Sequence, residues 1–374
     1  MAILLVRSRL LMLSIKPLTV VSSSPRSSPL YCIRTMTSTT PDVSSQSDIG
    51  KMRTEADGSF KRAASSFRNF IENDGKFTPE KGRYHLYVSY ACPWATRTLI
   101  TRKLKGLEDF IAVSTVSPHM GAQGWPFKNA DPSWADADDD TEHPNFQHVK
   151  ELYFLADPNY GGRFTVPVLW DKKLDTIVSN ESSEIIRMFN TVFNHLLPAD
   201  KAAIDIYPEA HRQEIDSINE WVYDTVNNGV YKSGFAQSQS AYENAVYPLF
   251  KSLDRLEEML KGKDYLIGNT LTEADIRLFV TTIRFDPVYV GHFKCNLRDI
   301  RHGYPNIYLW MRKLYWNNDA FKSSTKFDHI KEHYYWSQTL VRCAVGSLAH
   351  PIHTQQVNPS RVVAAGPVPH IEPL

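Results

Sequence analysis

The sequence of 374 residues predicts an α/β domain followed by an all-helical domain. Between Tyr84 and about Phe193, short runs rich in β-branched and aromatic residues alternate with helical patterns. From about Lys201 to Tyr335, apolar residues recur almost purely at helical spacing. We therefore place the first domain at residues 60–195 and the second at residues 200–336.

The elements of the first domain follow one another in the order β-α-β, then β-β-α. Their predicted bounds are a strand at 85–89, a helix at 94–107, a strand at 110–117, a hairpin with strands at 165–170 and 176–178, and a helix from about 182. Two strands joined by a helix and followed by a hairpin are the order of the thioredoxin fold. We expect this domain to be thioredoxin-like.

The second domain carries clear helix-start signals. Thr272, Glu273 and Asp275 form an N-cap pattern at the beginning of one predicted helix. The residues that follow place an apolar face at helical spacing, formed by Ile276, Phe279, Val280 and Ile283. Such helices bury one face against one another, which is consistent with an all-helical domain.

The two ends of the chain differ from this body. Residues 1–41 contain no acidic residue and carry five basic ones among Ser, Thr and Leu, which is typical of an organelle transit peptide. We interpret residues 1–50 as disordered or as a mitochondrial presequence, whereas translation from Met36 would leave a cytoplasmic form. Five prolines spread through residues 337–374 predict an extended tail.

Bulk composition excludes several classes of protein. The net charge of +1 gives no general attraction to nucleic acid, and no apolar run is long enough to insert into a membrane. The four cysteines are far apart, with no CxxC pair and no Cys/His cluster at zinc spacing. The sequence therefore predicts no metal site and no disulfide framework, and favours a reducing compartment.

Cys92 lies where a predicted strand turns into a predicted helix. Pro93 suits the first helical position, so Cys92 lies at the helix N-terminus, where free N–H groups stabilise a thiolate. We predict an exposed nucleophile with a depressed pKa. For Cys32, Cys295 and Cys343 we keep the ordinary interpretation of a lone cysteine, a small apolar side chain.

Position 95 restricts the chemistry of this thiol. A dithiol oxidoreductase would have its second cysteine there, and this chain has Ala95. A mixed disulfide on Cys92 therefore has no neighbouring thiol to resolve it. An external thiol must do so, which points to glutathione.

Two further segments fit a glutathione site on this fold. A cis peptide at Val166–Pro167 would turn the Val166 backbone toward the thiol ligand, although an ordinary trans proline also suits a strand start. The segment with Glu181 and Ser182 opens a helix, where a hydroxyl and free N–H groups suit a γ-glutamyl carboxylate and Glu181 suits the ammonium. Plain helix capping is the alternative for this segment.

Several motifs taken together resemble one family. They are Cys92-Pro93-Trp94-Ala95, Gly124-Trp125-Pro126-Phe127, Asn180-Glu181-Ser182, Asn228-Gly229-Val230-Tyr231-Lys232-Ser233-Gly234-Phe235 and Arg284-Phe285-Asp286-Pro287-Val288-Tyr289. The chain resembles, from roughly Phe60 to Tyr335, the glutathionyl-hydroquinone reductases, also called Xi-class glutathione transferases and related to the omega class. The resemblance implies a glutathione-transferase fold, glutathione as co-substrate and a homodimer.

The resemblance also implies roles for individual residues. Cys92 would attack the sulfur of a glutathionyl-hydroquinone and retain the glutathionyl group until a second glutathione removes it. Tyr231 would donate or accept the proton, and Tyr289 and Tyr334 would line an aromatic pocket and help to lower the thiol pKa, with Tyr335 an alternative to Tyr334. The implied glutathione-binding residues are Trp125, Arg163, Phe164, Thr165, Val166, Glu181 and Ser182.

Two other functions remain open from the sequence. An omega-like thioltransferase or dehydroascorbate reductase would share the thiol and the glutathione site without needing the tyrosines. A non-catalytic module with this fold, serving protein assembly, would need neither Cys92 at a helix start nor the glutathione-binding segments.

Overall fold

The computed structural model describes residues 54–129, 137–138, 140 and 142–337. The predicted presequence at 1–50 lies outside the described residues. Of the predicted tail at 337–374, only Ser337 lies within them, at the end of a helix.

A four-stranded mixed sheet forms the centre of the first domain. Its strands are β1 (Tyr84–Val88), β2 (Ile111–Thr115), β3 (Val168–Asp171) and β4 (Thr176–Ser179), in the order β2-β1-β3-β4. β1 pairs with β2 in parallel, and β3 is antiparallel to both β1 and β4. The parallel pair needs a crossover connection, and the helix between β1 and β2 supplies it.

Three helices accompany this sheet, α1 (Pro93–Leu104), α2 (Lys150–Ala156) and α3 (Ser182–Thr191). α1 and α3 contact each other, and their apolar residues join those of the strands in one buried core. This arrangement confirms the predicted thioredoxin-like fold. The prediction missed α2, whose seven residues are too few to show a clear helical period.

The predicted strand at 165–170 begins later in the structure, at Val168. The Tyr153 hydroxyl donates to the Thr165 carbonyl at 2.8 Å and accepts from the Thr165 N–H at 3.2 Å. Because a side chain satisfies both backbone groups, Thr165 has no need of a strand partner.

The described part of the second domain contains helices joined by turns and no β-strand. Its helices are α4 (Ala199–Ala202), α5 (Arg212–Val222), α6 (Gly229–Phe235), α7 (Gln239–Met259), α8 (Glu273–Thr282), α9 (Ile300–Gly303), α10 (Pro305–Asn317), α11 (Asp319–Ser323) and α12 (Phe327–Ser337), with 3-10 turns at Asn194–Leu196 and Glu209–His211 and π-helical turns at Tyr223–Asn227 and Phe285–Tyr289. Their buried residues form a second core, and α8 contacts α1 of the first domain. No described helix is both long and apolar enough to cross a membrane.

The predicted start of α8 is confirmed. The Asp275 carboxylate accepts from the Thr272 N–H at 3.0 Å, and the Thr272 side chain completes the capping box. Trp310 also donates to Asp275, at 3.0 Å, which ties α10 to this helix start. α8 is thereby fixed at one end, and its other end reaches the site described next.

Candidate active site

Cys92 is the N-cap residue of α1. Its backbone is extended, with φ −77° and ψ 117°, and Pro93 occupies the first helical position as predicted. The Cys92 N–H donates to the Ser89 carbonyl at 3.1 Å, which closes a tight turn between β1 and α1. The residue as a whole is neither fully buried nor exposed.

Arg284 holds this turn from the second domain. It is fully buried just beyond α8, and Nε donates to the Ala91 carbonyl at 3.1 Å while Nη2 donates to the Tyr90 carbonyl at 2.8 Å. A further bond joins Nη2 to the Thr96 hydroxyl at 2.8 Å. The guanidinium thus fixes the backbone just before Cys92, contacts a side chain in the first turn of α1, and places a positive charge that acts on the Cys92 thiol.

The expectation of a depressed pKa for Cys92 is wrong for this structure. Burial raises the pKa of the Cys92 thiol above its ordinary value. The N–H groups of Ala95 and Trp94 and the charges of Arg284 and Arg62 act in the opposite direction, toward the thiolate, but burial outweighs them. Although the residue is partly exposed, protein groups surround the thiol closely enough for burial to dominate its pKa.

Val166 lies directly against the thiol. Its peptide bond to Pro167 is cis, and the Cys92 Sγ donates to the Val166 carbonyl at 3.3 Å. The segment before it is anchored by aromatic side chains: Phe164 packs edge-on against Tyr153 with ring centroids 5.5 Å apart, and the Arg163 carbonyl accepts from Tyr160 at 3.0 Å. The Val166 backbone is therefore presented to whatever occupies the thiol site.

Glu181 and Ser182 occupy the start of α3. One Glu181 oxygen accepts from the Ser183 N–H at 3.1 Å, so Glu181 does cap the helix, while the other oxygen accepts from Ser65 at 3.0 Å. Burial raises the pKa of Glu181, but the bonds from Ser183 and Ser65 and the charge of Arg97 lower it more, leaving it below its ordinary value. Glu181 is thus a carboxylate at neutral pH, as recognition of an ammonium requires.

Ser182 contacts a buried arginine of α1. Arg97 donates to the Ser182 hydroxyl at 3.4 Å and to the Asn227 side chain at 2.9 Å. Burial lowers the pKa of Arg97 to about 9, so the group remains charged at neutral pH. The start of α3 therefore combines a hydroxyl, helix N–H groups and a positive charge, which together suit a carboxylate.

The three predicted tyrosines meet in one hydrogen-bonded chain. The Tyr334 hydroxyl lies 2.5 Å from that of Tyr231 and 3.1 Å from that of Tyr289. Burial raises the pKa of Tyr289 to about 12 and those of Tyr231 and Tyr334 well above their ordinary value, and the charge of Cys92 contributes for Tyr231 and Tyr289. All three are neutral phenols at neutral pH. A neutral phenol hydroxyl both donates and accepts, so each member of this cluster can pass a proton to its neighbour or to a bound ligand.

Tyr334 rather than Tyr335 belongs to this chain. The Tyr335 hydroxyl donates instead to the Pro287 carbonyl at 3.1 Å. Phe293 packs on all three tyrosines of the chain, with its ring centroid 5.2 Å from those of Tyr231 and Tyr289 and 5.6 Å from that of Tyr334.

Gly234 makes room for Phe293. A Cβ at position 234 would lie 2.4 Å from the Phe293 ring, closer than any real contact. The glycine of the Asn228–Phe235 motif therefore serves the packing of the tyrosines.

Trp125 is placed by a histidine on α12. The two rings of Trp125 and His333 stack with centroids 4.7 Å apart, and His333 Nδ1 lies 2.9 Å from the Pro118 carbonyl. His333 is adjacent to Tyr334 in sequence. The loop that carries Trp125 and the tyrosine chain are thus held by neighbouring residues of one helix.

Comparison with known proteins agrees with this architecture. Residues 91–192 match the family description "Glutathione S-transferase, N-terminal domain", and residues 239–313 match "Glutathione S-transferase, C-terminal domain". The chain is similar to the crystal structure of the glutathione-S-transferase Xi from Phanerochaete chrysosporium, with 67% identity, a TM-score of 0.79, and coverage of 88% of this chain and 99% of that one. The chain belongs to the Xi class of the glutathione transferases.

Two more similarities concern a bacterial relative of this Xi-class transferase. The glutathionyl-hydroquinone reductase YqjG of Escherichia coli is 51% identical over 318 residues, which cover 83% of this chain and 89% of YqjG. A solved structure of YqjG with bound glutathione has a TM-score of 0.70 and 53% identity, and covers 75% of this chain and 90% of that one. The chain is therefore an enzyme of the glutathione transferase class.

Several residues at the site of this Xi-class transferase could not be predicted from its sequence. Arg284 stood in a recognised motif, but nothing in the sequence showed that its side chain would reach back to the Cys92 turn. His333 and Phe293 belong to no motif that we recognised. In the described part of the chain, no group of three His, Cys, Asp or Glu side chains is arranged to hold a metal ion.

Proposed function

We propose that this Xi-class transferase reduces glutathionyl-hydroquinones to hydroquinones, with glutathione as co-substrate. The observation that carries the proposal is the chain of three buried, neutral tyrosines, two of which, Tyr231 and Tyr289, interact electrostatically with Cys92. A thiol that only exchanged disulfides would need no such proton donors, because a thiolate leaves without one.

Binding of the substrate prepares the thiol. The cysteinyl part of the glutathione conjugate pairs with the Val166 backbone and takes the carbonyl to which the Cys92 thiol donates. Its γ-glutamyl end binds at Glu181 and Ser182. Because the thiol loses its acceptor while Arg284 and the α1 N–H groups remain in place, the thiolate becomes more favourable.

The first chemical step transfers the glutathionyl group to Cys92. The Cys92 thiolate attacks the substrate sulfur, an S–S bond forms, and the bond from sulfur to the ring carbon breaks. The electron pair of that bond remains on the ring, which takes up a proton from the tyrosine chain at Tyr231. The free hydroquinone leaves.

A second glutathione completes the cycle. Its thiolate attacks the glutathionyl sulfur of the mixed disulfide, releases oxidised glutathione and restores the Cys92 thiolate. The tyrosine chain recovers its proton from the incoming thiol through solvent. Cys295, the other cysteine of the described residues, is fully buried against the Val230 carbonyl and cannot resolve the disulfide.

An assay of purified protein on three substrates tests this proposal. We expect glutathione-dependent reduction of a glutathionyl-hydroquinone to exceed that of dehydroascorbate and of a small mixed disulfide. Activity on the last two alone would show an omega-like thioltransferase or dehydroascorbate reductase instead. Cys92→Ser should abolish the activities, and a wild-type protein inactive on all three substrates would favour a non-catalytic assembly module.

The oligomeric state of the protein and its compartment in the cell remain predictions. We propose a homodimer, which sedimentation of the full chain at several concentrations can test. We propose mitochondrial import through residues 1–50, or a cytoplasmic form from Met36, which the N-terminal sequence of the protein isolated from each compartment distinguishes.

A further inference from the structure

Residues 57–69 form a strap that joins the two domains beside the active site. At one end, the Gly58 carbonyl accepts from the Gln237 N–H at 2.9 Å, just beyond α6. At the other end, Phe67 and Asn180 exchange two bonds: the Phe67 N–H donates to the Asn180 side chain at 3.1 Å, and the Asn180 N–H donates to the Phe67 carbonyl at 3.0 Å. The strap is thus fixed both to the second domain and to the turn that carries Glu181.

Arg62 lies in the middle of the strap, over two rings of the site. Its guanidinium carbon is 3.5 Å from the centroid of the Trp94 ring and 5.3 Å from that of Tyr231. Its Nε donates to the Asn228 side chain at 3.0 Å. Trp94 follows Cys92-Pro93 directly, and the Trp94 and Tyr231 rings contact each other with centroids 5.1 Å apart. Arg62 therefore covers the aromatic edge of the pocket next to the nucleophile.

The charge of Arg62 is not neutralised by a carboxylate among the described residues. Its described hydrogen bond goes from Nε to the Asn228 amide, and no described hydrogen bond uses either of its Nη groups. A guanidinium that lies flat on an indole keeps its in-plane N–H groups available, in the fork that matches a carboxylate or another anionic oxygen. The side chain is already held in place by the strap, so little freedom is lost when it binds an anion.

We propose that Arg62 forms a subsite for an anionic oxygen on the aromatic ring of the substrate, either a ring carboxylate or a phenolate. The proposal rests on the proposed function, because that function places an aromatic ring between Cys92 and Tyr231. A ring that leaves sulfur with the bonding electrons gains negative charge, and its oxygen substituents share that charge. The Arg62 guanidinium would therefore act in two ways. It would favour binding of conjugates with an acidic aromatic ring, and it would stabilise the negative charge of the departing ring.

Direct binding of product analogues tests the subsite without relying on turnover. The probes are 2,5-dihydroxybenzoate and 1,4-dihydroxybenzene, titrated by calorimetry into the Cys92→Ser protein. We expect the benzoate to bind more tightly than the neutral ring. Adding Arg62→Gln to this protein should lower the affinity for the benzoate by about tenfold to a hundredfold. The affinity for the neutral ring should fall by less than about twofold. The matched control is Lys61→Gln, which removes the same charge from the exposed neighbouring residue and should change neither.

Three outcomes of this titration would overturn the proposal. The first is equal binding of both probes to the protein with Arg62 intact, or no binding of either. The second is an equal loss of affinity for both probes in the Arg62→Gln variant, which would show that Arg62 only supports the shape of the pocket. The third is a loss of the same size in Lys61→Gln, which would show a diffuse effect of charge.

A kinetic comparison separates this proposal from the proposed function. The glutathionyl conjugates of the same two rings are reduced by the otherwise wild-type enzyme and by Arg62→Gln. We expect a selective loss of kcat/KM for the carboxylated conjugate, with partial rescue by Arg62→Lys, which keeps the charge but not the fork. A wild-type enzyme inactive on both conjugates would refute the proposed function itself. Two results with an active wild-type enzyme would refute the subsite alone. In one, Arg62→Gln raises only the KM for glutathione. In the other, Arg62→Gln lowers kcat/KM for both conjugates equally and also slows the alkylation of Cys92.

Discussion

The Arg284 guanidinium donates a hydrogen bond of 3.1 Å to the carbonyl of Ala91, the residue immediately before Cys92. Arg284 follows α8 of the second domain, whereas Ala91 ends the turn between β1 and α1 of the first. One buried side chain therefore makes the geometry of the nucleophile depend on the helical domain. This contact explains why an enzyme with a thioredoxin-like domain needs the second domain for more than its aromatic pocket.

We predict that Arg284→Lys slows alkylation of Cys92 at neutral pH and shifts its pH profile upward. A lysine cannot bond the Tyr90 and Ala91 carbonyls together, and its charge would be less well placed to lower the thiol pKa. Leaving buried carbonyls unpaired should also lower the free energy of unfolding by about 2–4 kcal/mol. Iodoacetamide kinetics across pH and urea unfolding measure both effects. Arg68→Lys, on the exposed side of the strap, is the control, and overlapping pH profiles for Arg284→Lys and wild type would contradict this account.

We predict that Tyr231→Phe impairs quinol release much more than disulfide exchange. The ring carbon needs a proton that the glutathione disulfide does not, so kcat/KM for a glutathionyl-hydroquinone should fall by about 10²- to 10⁴-fold. Reduction of a small mixed disulfide should change by less than about threefold, an estimate that follows from the absence of proton transfer to carbon. Tyr335→Phe serves as the control, because its hydroxyl bonds to Pro287 outside the chain. Equal losses on both substrates would show that Tyr231 acts only through the thiol.

Tyr334→Phe should resemble Tyr231→Phe in this comparison. The Tyr334 hydroxyl is the central one of the chain, so its removal breaks both internal bonds at once. If the chain were only a packing feature, removing its central hydroxyl would leave the ratio of the two activities unchanged.

Stability should fall at acidic pH because of His333. Burial lowers the pKa of His333 to about 4, below its ordinary value of 6.5. Between these values the unfolded chain binds a proton that the folded protein does not, so lowering the pH from 7 to 5 should reduce the free energy of unfolding by about 2 kcal/mol through this group. Burial raises the pKa of Asp275 to about 6, which acts in the opposite direction.

A variant isolates the contribution of His333. His333→Phe keeps a ring against Trp125 but cannot titrate, and Asp275 is present in both proteins. Urea unfolding at pH 7 and pH 5 should therefore show a smaller loss on acidification in the variant than in wild type. Identical losses would mean that His333 is protonated as easily in the folded protein as in the unfolded chain.

The sequence was sufficient to predict the order of the elements, because periodicity and cap residues are local signals. Thr272 and Asp275 show this for α8, where the capping box is complete in the structure. The ends of helices and strands were less well predicted where a side chain from another element bonds the backbone, as the Tyr153 hydroxyl bonds the Thr165 carbonyl.

The site shows the same division between local and distant effects. Cys92 was found from its position at a helix start, a local signal, but the direction of its pKa shift was not, because burial depends on the whole fold. Arg284 contacts residues more than 190 positions away, at Tyr90 and Ala91, and no single-sequence pattern reports such a contact. The role of Phe293 was hidden for the same reason.

The mass of the intact protein after a single turnover tests the central claim most directly. Full-length protein is mixed with one equivalent of a glutathionyl-hydroquinone, without free glutathione, and quenched with acid. We predict release of the hydroquinone together with a gain of one glutathionyl group, located on the peptide that contains Cys92 and removed by added glutathione. Release of hydroquinone with no adduct, or with an adduct on another cysteine while Cys92 still reacts with iodoacetamide, would contradict the account.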